Sequence, residues 1–197
     1  MYTHVKRVLD LLLSLTAIVV LSPLMLVLAL IIRTTSPGPV FFRQKRVGMG
    51  KTHFMIYKFR TMRIDAPKDR PTHLLKDPTA YITPVGQFLR RSSLDELPQL
   101  INIIKGEMAV VGPRPALWNQ FDLIAERDKY GANDVRPGLT GWAQINGRDE
   151  LPIDVKARLD GEYVEKMGFC FDVKCILGTV VKVIRSEGVV EGQQQNK

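Results

Sequence analysis

Two adjacent carboxylates, Asp95 and Glu96, are the residues of this sequence best suited to chemistry. They lie in the stretch RSSLDELPQL, between a pair of serines and a proline. Such a pair can give one or two oxygens to a Mg²⁺ ion, which completes its shell with water and phosphate oxygens. A carboxylate can also attack phosphorus directly and form an aspartyl phosphate. The pair therefore predicts a site for a substrate that carries several phosphate charges, with Mg²⁺ as the cofactor.

The same two acids also fit a purely structural role. Ser93 followed three residues later by Glu96 matches the capping box of a helix N-terminus. In that case Asp95 falls in the first helical turn, where the backbone N–H groups and the helix dipole favour its ionised form. Pro98 argues against a helix that starts after Ser93, because Pro98 would then be the fifth helical residue and a proline there loses a backbone hydrogen bond. The alternative is a regular helix that begins at Pro98 and leaves the acids at its mouth.

Four basic residues are candidates for binding the phosphates. Arg114 has a proline on each side, and these restrict the backbone to extended geometry, so that a stiff loop presents the guanidinium. Arg136 precedes a Pro-Gly pair and Arg148 follows an Asn-Gly pair, so both lie on turns. Lys58 projects from a predicted strand. Each alone is equally compatible with a surface ion pair, but together they favour a phosphate site.

The charge of the chain is concentrated in one block. The 197 residues carry 28 Lys and Arg against 20 Asp and Glu, a net charge of +8. Residues 33–70 hold ten basic and two acidic residues, directly after an apolar segment. This surplus predicts attraction to anionic lipid headgroups and to substrate phosphates. A basic scaffold on the membrane surface, or a nucleic-acid binder, is the non-enzymatic alternative, but it gives Asp95 and Glu96 no role.

Two other kinds of site are not predicted. Cys170 and Cys175 lie five residues apart and the three histidines are scattered, which matches no zinc or redox signature. The stretch GMGKT resembles part of a phosphate-binding P-loop. That loop needs a glycine where Lys45 stands and a helix where the sequence has strand alternation instead.

Residues 11–32 read LLLSLTAIVVLSPLMLVLALII, 22 residues without a charge. At about 1.5 Å per residue, the segment is long enough to cross a hydrocarbon core of roughly 30 Å. It lacks the small-residue cleavage site of a signal peptide. The sequence therefore predicts a membrane segment that stays in the protein.

The path of this segment through the membrane has two alternatives. Ser22-Pro23 at its midpoint predicts a kink, because proline lacks a backbone donor and clashes with the carbonyl of Val19. Basic residues flank both ends, with Lys6 and Arg7 before the segment and Arg33 after it. The positive-inside rule places both flanks in the cytoplasm, which a re-entrant helix-break-helix allows and one straight span does not. Since proline is also tolerated in spanning helices, the residues alone leave both paths open.

The remaining patterns predict a mostly helical α+β fold with a small β-hairpin. Alternating residues on either side of a Gly-Met-Gly-Lys turn predict the hairpin over 40–47 and 52–60. A short buried strand is expected at 108–111. Helical patterns cover 85–91, 97–105, 117–130, 153–167 and 171–186. The last of these carries an apolar stripe typical of core or membrane-surface packing, and residues 191–197 read as a disordered tail.

Three segments resemble the bacterial sugar transferase family, the small monotopic polyprenyl-phosphate phosphoglycosyl transferases. They are KFRTM (58–62), LRRSSLDELPQLINIIKGEMAVVGPRP (89–115) and DVRPGLTGWAQINGR (134–148). The resemblance covers essentially the whole chain. It implies an enzyme that transfers a sugar 1-phosphate from a UDP-sugar to undecaprenyl phosphate and releases UMP, as the first membrane step of glycoconjugate assembly.

The resemblance also implies roles for single residues. Asp95 is the expected nucleophile, which attacks the sugar-linked phosphate and forms a covalent intermediate that the polyprenyl phosphate resolves. Glu96 is expected to help place Mg²⁺ or a reacting oxygen, and Lys58 and Arg114 to hold phosphates. The family's re-entrant helix is broken at a Ser-Pro pair, which corresponds to Ser22-Pro23.

The expected organisation is a re-entrant membrane anchor at 1–35, a cytoplasmic catalytic domain at 36–190 and the tail at 191–197. The expected location is the cytoplasmic face of a bacterial inner membrane, with membrane lipids as partners and no nucleic acid. The sequence identifies neither the sugar nor the pathway. It leaves the oligomeric state open, with a homodimer as one alternative.

Overall fold

The computed structural model describes residues 2–67, 77, 79–147 and 151–185. A long N-terminal helix, α1 (Tyr2–Thr35), lies against a domain built from short strands and shorter helices. The remaining elements are β1 (Phe41–Val47), β2 (His53–Phe59), α2 (Pro84–Arg91), α3 (Gln99–Lys105), β3 (Ala109–Val111), α4 (Phe121–Asp128), β4 (Gly138–Thr140), α5 (Trp142–Ile145), α6 (Ile153–Lys166) and α7 (Phe169–Arg185). The predicted α+β fold, mostly helical, is confirmed.

The predicted hairpin is confirmed and its inner face carries part of the core. β1 and β2 pair antiparallel, with Phe42 opposite Lys58 and Arg46 opposite Phe54. Phe54 and Ile56 point inward and pack with Leu100, Ile103 and Met108, the last three from α3 and the segment after it. Side chains alternate between the two faces of a strand, so the same register places Lys58 on the inner face.

A second, parallel pair of strands crosses the middle of the domain. β3 was predicted from its apolar run, whereas β4 and the one-turn helix α5 were not. β4 is three residues long and begins at Gly138, within a Pro-Gly pair that reads as a turn. A Cβ at Gly138 would lie 2.1 Å from the backbone nitrogen of Gly112. The glycine therefore allows two backbones to approach closely enough to pair.

Most helix boundaries differ from the prediction by one or two residues, and one differs by more. The helix predicted over 117–130 is confined to α4, Phe121–Asp128. At its N-terminal side, the Gln120 side chain accepts a hydrogen bond from the backbone N–H of Leu117 at 2.7 Å. This local bond favours a turn over helix. The predicted tail, 191–197, lies outside the described residues.

α1 runs through Ser22 and Pro23 as one continuous helix, so the expected helix-break-helix is not seen. Pro23 has no N–H to offer the carbonyl of Val19, four residues earlier. The hydroxyl of Ser22 donates to that same carbonyl at 2.9 Å. The serine thereby replaces the hydrogen bond that the proline removes, and the helix continues.

Both ends of α1 contact the domain. Near the N-terminus, Lys6 Nζ lies 2.7 Å from Asp172 Oδ2 of α7, and the Arg7 guanidinium donates to two carbonyls at the end of α3, at 2.6 and 3.0 Å. Near the C-terminus, Leu28 and Ile32 are buried in one cluster with Phe59 and Leu89. The helix therefore lies along the domain and does not project away from it.

The other face of α1 is apolar and exposed. The helix is long and apolar enough to cross a membrane, and only 11% of its most apolar 18-residue stretch is buried in the protein. On α7, the apolar stripe is exposed as well: Leu177 is 62% and Val180 50% exposed. Asp172, which binds Lys6, precedes the first stripe residue, Val173, by one position. The ion pair between α1 and α7 therefore lies next to the start of this stripe in sequence.

Gly86 should be intolerant of even one extra carbon. A Cβ there would lie 1.9 Å from the carbonyl oxygen of Thr61, so α2 and the segment after β2 would have to separate. We expect Gly86→Ala to lower the free energy of unfolding by about 1–3 kcal/mol, measured by thermal unfolding in detergent. Gly168→Ala is the matched control, since its Cβ would meet only Lys166 O at 3.7 Å. Equal melting temperatures for the two variants would contradict this.

Candidate active site

Asp95 and Glu96 lie in a tight turn between two helices. Leu94–Glu96 forms a 3₁₀ turn, and α3 begins only at Gln99, with Pro98 as its N-cap. Ser93 adopts the left-handed conformation, φ 56°, and its side chain makes no capping hydrogen bond. The capping-box interpretation is therefore wrong, and the alternative, with the acids at the mouth of the helix, is confirmed, although the helix begins one residue after Pro98.

The reason is visible in the backbone of the turn. The Glu96 N–H donates to the carbonyl of Ser93 at 3.2 Å, so the donor that a serine side chain would cap is already satisfied. A left-handed backbone is uncommon for a residue other than glycine, and such strain clusters at functional sites. Here it turns the chain so that the two acids point toward the hairpin.

The structure brings four of the predicted residues together. Glu96 Oε1 accepts hydrogen bonds from Lys58 Nζ at 2.7 Å and from Arg114 Nη2 at 3.0 Å. Lys58 Nζ also lies 3.6 Å from Asp95 Oδ2. The two acids are each only 7% exposed. Two carboxylates and two cations thus form one buried cluster whose charges balance, as buried charges require.

Three separate elements supply this cluster. Lys58 comes from the inner face of β2, the acids from the turn before α3, and Arg114 from the loop after β3. That loop is held on both sides: Gly138 N–H donates to Pro113 O at 2.9 Å, and Arg46 Nη1 donates to Pro115 O at 3.0 Å. The prolines next to Arg114 are therefore anchored, as a rigid presentation of its guanidinium requires.

Burial is the main influence on Lys58. Removal from water lowers the pKa of its amine, while the negative charges of Glu96 and Asp95 oppose that shift and the positive charge of Arg114 adds to it. The two acids therefore offset part of the effect of burial on the pKa of Lys58. In return, the ammonium stabilises the ionised carboxylates.

A cavity of about 630 Å³ opens beside the acids. Asp95 and Lys58 line it, so the expected nucleophile faces space large enough for a substrate. Five further cations line the same cavity: Arg43, Arg46, Arg60, Arg63 and Arg90. Six positive side chains around one carboxylate favour a ligand with several negative charges.

The sequence analysis named none of these five arginines individually as a site residue, although four of them lie in the basic block 33–70. Two of them carried a readable signal. Arg46 stands at an inward position of β1, since it pairs with the buried Phe54, and a charged residue on a core-facing position is informative. Arg90 ends α2 and directly precedes the acidic turn in sequence. Arg43 lies on β1, and Arg60 and Arg63 follow β2; that all three line one cavity with Asp95 is visible only in the fold.

Two predicted phosphate ligands are not part of the described cluster. Arg136 Nε donates to the carbonyl of Gly106 at 3.0 Å, at the C-terminal end of α3, where a cation is favoured by the helix dipole. It is not among the residues that line the cavity. Arg148 lies outside the described residues. A phosphate-binding role for either residue stays a prediction.

Comparison with known proteins identifies the class. Residues 1–186 match the family described as "Bacterial sugar transferase". The chain therefore belongs to the bacterial sugar transferase family, and the resemblance noted in the sequence is confirmed. Relatives named for an activity are transferases of a sugar phosphate onto undecaprenyl phosphate, which confirms the prediction of a transferase enzyme.

Three relatives illustrate the match. The "Uncharacterized sugar transferase EpsL" of Bacillus subtilis (strain 168) is 40% identical over 191 residues, 97% of this chain and 91% of that protein. The "UDP-glucose:undecaprenyl-phosphate glucose-1-phosphate transferase" of Xanthomonas campestris pv. campestris is 39% identical over 91% of this chain, which spans 38% of that protein. The "UDP-N-acetylgalactosamine-undecaprenyl-phosphate N-acetylgalactosaminephosphotransferase" of Aeromonas hydrophila is 36% identical over 95% of this chain and 45% of its own length.

The charge of Glu96 should set the protonation of Lys58. Because that charge raises the pKa of Lys58 against the effect of burial, we expect the isosteric change Glu96→Gln to lower the pKa further. The amine then loses its proton at a lower pH. NMR titration of lysine side chains carrying ¹³C at Cε, in detergent micelles, measures this.

Lys129 is the internal control for that titration. Its pKa is raised by a hydrogen bond to Glu126, and neither residue contacts Glu96 in the described structure. Its midpoint should be the same in both proteins. A Lys58 midpoint that stays in place or rises in Glu96→Gln would contradict the charge assignment.

Proposed function

We propose that this protein transfers a sugar 1-phosphate from a UDP-sugar to a polyprenyl phosphate, such as undecaprenyl phosphate, and releases UMP. The observation that carries the proposal is the position of Asp95: a buried carboxylate, 3.6 Å from Lys58 Nζ, on the wall of a cavity lined by six cations. The names of the relatives support the same pair of substrates.

The first step forms a covalent intermediate. One carboxylate oxygen of Asp95 attacks the phosphorus that carries the sugar, and the bond from that phosphorus to the oxygen bridging the two phosphates breaks. UMP leaves with the bridging oxygen and its electron pair. Arg46 and Arg90, which line the cavity with Asp95, neutralise the charge of the phosphates, which otherwise repels an anionic nucleophile.

The second step releases the enzyme. A phosphate oxygen of the polyprenyl phosphate attacks the same phosphorus, the bond to the Asp95 carboxylate breaks, and the carboxylate returns to its ionised form. The product is a polyprenyl diphosphate sugar. Lys58 lies close enough to both carboxylates to stabilise Asp95 as its charge is restored.

Mg²⁺ fits the donors that are present. The carboxylate of Asp95 faces the cavity, and Mg²⁺ needs only one or two protein carboxylates when substrate phosphates and water supply the other oxygens. Bound there, the ion would neutralise phosphate charge and polarise the phosphoryl oxygens. Glu96 Oε1 already receives two hydrogen bonds from cations, so its first role is to orient Lys58 and Arg114.

Asp95→Asn should abolish both steps and leave the fold intact, because the amide keeps the shape but lacks the charge needed to attack phosphorus. We expect UMP release to fall by at least about a thousandfold, and radiolabelled sugar phosphate to be absent from the purified protein. A chelator should have the same effect on the wild-type protein, reversed by Mg²⁺.

Asp154→Asn is the matched control, since Asp154 is an exposed acid in the first turn of α6. It should keep full activity. Full activity in Asp95→Asn would contradict the assignment of Asp95 as the nucleophile. Absence of UMP release by the wild-type protein, across a panel of UDP-sugars with Mg²⁺, would favour the basic membrane-surface scaffold instead.

We further propose that both ends of α1 lie on one side of the membrane, the cytoplasmic side. Contacts of both helix ends support this: Lys6 binds Asp172 and Ile32 packs on Phe59 of the same domain. A helix that crossed the bilayer would place one of these ends on the far side. The exposed apolar faces of α1 and α7 then rest in the lipid, and the basic block lies among the headgroups.

Cysteine labelling tests this topology. After Cys170, the exposed native cysteine, is replaced by serine, single cysteines are introduced as Thr3→Cys and Asp65→Cys, on opposite sides of the apolar segment. A maleimide that cannot cross membranes should label both positions only when the cytoplasm is opened. Labelling of position 3 in intact cells, with position 65 protected, would show a spanning helix.

A further inference from the structure

Asn102 is a fully buried amide in the middle of α3, and its side chain is bound to the hairpin. Its Oδ1 accepts a hydrogen bond from the backbone N–H of Tyr57 at 3.0 Å. Its Nδ2 donates to the backbone carbonyl of Met55 at 2.8 Å. The amide therefore binds β2 at two points, immediately before Lys58 in sequence.

These two bonds take the place of a third strand. In the described residues, β1 and β2 form a two-stranded sheet, so one edge of β2 has no strand to pair with. Met55 and Tyr57 lie two residues apart and direct their backbone groups to the same edge. A side-chain amide carries a donor and an acceptor side by side. Asn102 therefore satisfies this edge where α3 covers it, as buried backbone groups require.

The amide of Asn102 is itself held in one orientation. Its Nδ2 also donates to Glu107 Oε2 at 2.7 Å, and its backbone carbonyl accepts from the Glu107 N–H at 3.0 Å. Two acceptors face the nitrogen and one donor faces the oxygen, so a single orientation of the amide satisfies all of them. A fixed amide sets a fixed distance between α3 and β2.

The two acids of the site are connected to Asn102 by a short run of hydrogen-bonded turns. The N–H of Leu97 donates to the carbonyl of Leu94 at 3.3 Å, and the N–H of Leu100 donates to the carbonyl of Leu97 at 3.1 Å. These bonds lead from the acidic turn into α3. The acids and Asn102 therefore belong to one continuous helical segment.

We propose, on the basis of the function proposed above, that Asn102 is a positioning residue for the transfer reaction: it sets Lys58 against the two acids by binding β2 to α3. Lys58 directly follows Tyr57, so a movement of β2 away from α3 also moves the ammonium away from the acids. Lys58 Nζ lies 2.7 Å from Glu96 Oε1. A misplacement of about 1 Å in a site of this kind slows a reaction by up to about a hundredfold.

The rival interpretation is that Asn102 only stabilises the fold. Both interpretations predict less stable variants, because the Met55 carbonyl and the Tyr57 N–H would be left buried without their partner. They differ for the molecules that remain folded. A purely structural residue changes the fraction of folded protein, whereas a positioning residue changes the rate constant of each folded molecule.

A burst of UMP release separates these two quantities. With excess UDP-sugar and no polyprenyl phosphate, the amplitude of the burst measures the active fraction, and its rate constant does not depend on that fraction. We expect Asn102→Ala and Asn102→Leu to lower the rate constant about a hundredfold, because both remove every side-chain hydrogen bond at this position. The leucine variant fills the space of the amide, so it tests the bonds without a cavity.

Asn133→Ala is the matched control. Asn133 is also a buried asparagine, and its Nδ2 donates to Ile124 O and to Asp128 Oδ1, both at 2.8 Å. These bonds remain within α4 and the turn that follows it. The variant should lower the amplitude at most and leave the rate constant unchanged. The same result in both Asn102 variants would overturn the proposal.

Hydrogen exchange gives a second readout that needs no substrate. The amide of Tyr57 should lose protection in both Asn102 variants and keep it in Asn133→Ala, because its acceptor is removed only in the former. Unchanged protection across 53–59 in the Asn102 variants would also overturn the proposal. If protection is lost as expected but the wild-type protein releases no UMP from any UDP-sugar, it is the proposed function that fails.

Discussion

The paired burial of Lys58 with Asp95 and Glu96 is the interaction on which the rest of the site depends. An ammonium and two carboxylates taken out of water are costly to bury singly and tolerable only together. The amine of Lys58 lies 2.7 Å from Glu96 Oε1 and 3.6 Å from Asp95 Oδ2, close enough for the three charges to stabilise one another. The result is a buried carboxylate, Asp95, on the wall of a cavity that six positive side chains line.

This cluster also explains why the domain has its particular elements. The hairpin holds Lys58 on its inward face. The strained turn at Ser93 directs the two acids toward Lys58, and the loop bounded by prolines carries Arg114. Arg46 connects two of these, from β1 to the loop after β3. Each element is short, and their contacts with one another and with α1 supply the rigidity that their length does not.

Local sequence patterns were sufficient where a residue's environment is set by its neighbours in the chain. The hairpin and α3 were predicted in this way, and so was the choice of Asp95, Glu96, Lys58 and Arg114 as candidate site residues. The patterns failed where distant segments decide the outcome. β4 exists because Gly138 approaches Gly112 across the domain, and Arg136 is directed to Gly106 by the fold. The capping box was locally reasonable, but the backbone of Ser93 left it no donor to satisfy.

The hydroxyl of Ser22 keeps the backbone of α1 fully hydrogen-bonded at its proline. In hydrocarbon, an unsatisfied carbonyl costs several kcal/mol. The carbonyl that a proline leaves without its partner can accept a hydrogen bond from a neighbouring helix or an ordered water instead. Here the bond to Val19 is supplied from within the same turn. The helix therefore satisfies this carbonyl by itself and needs no donor from a neighbouring helix at the proline.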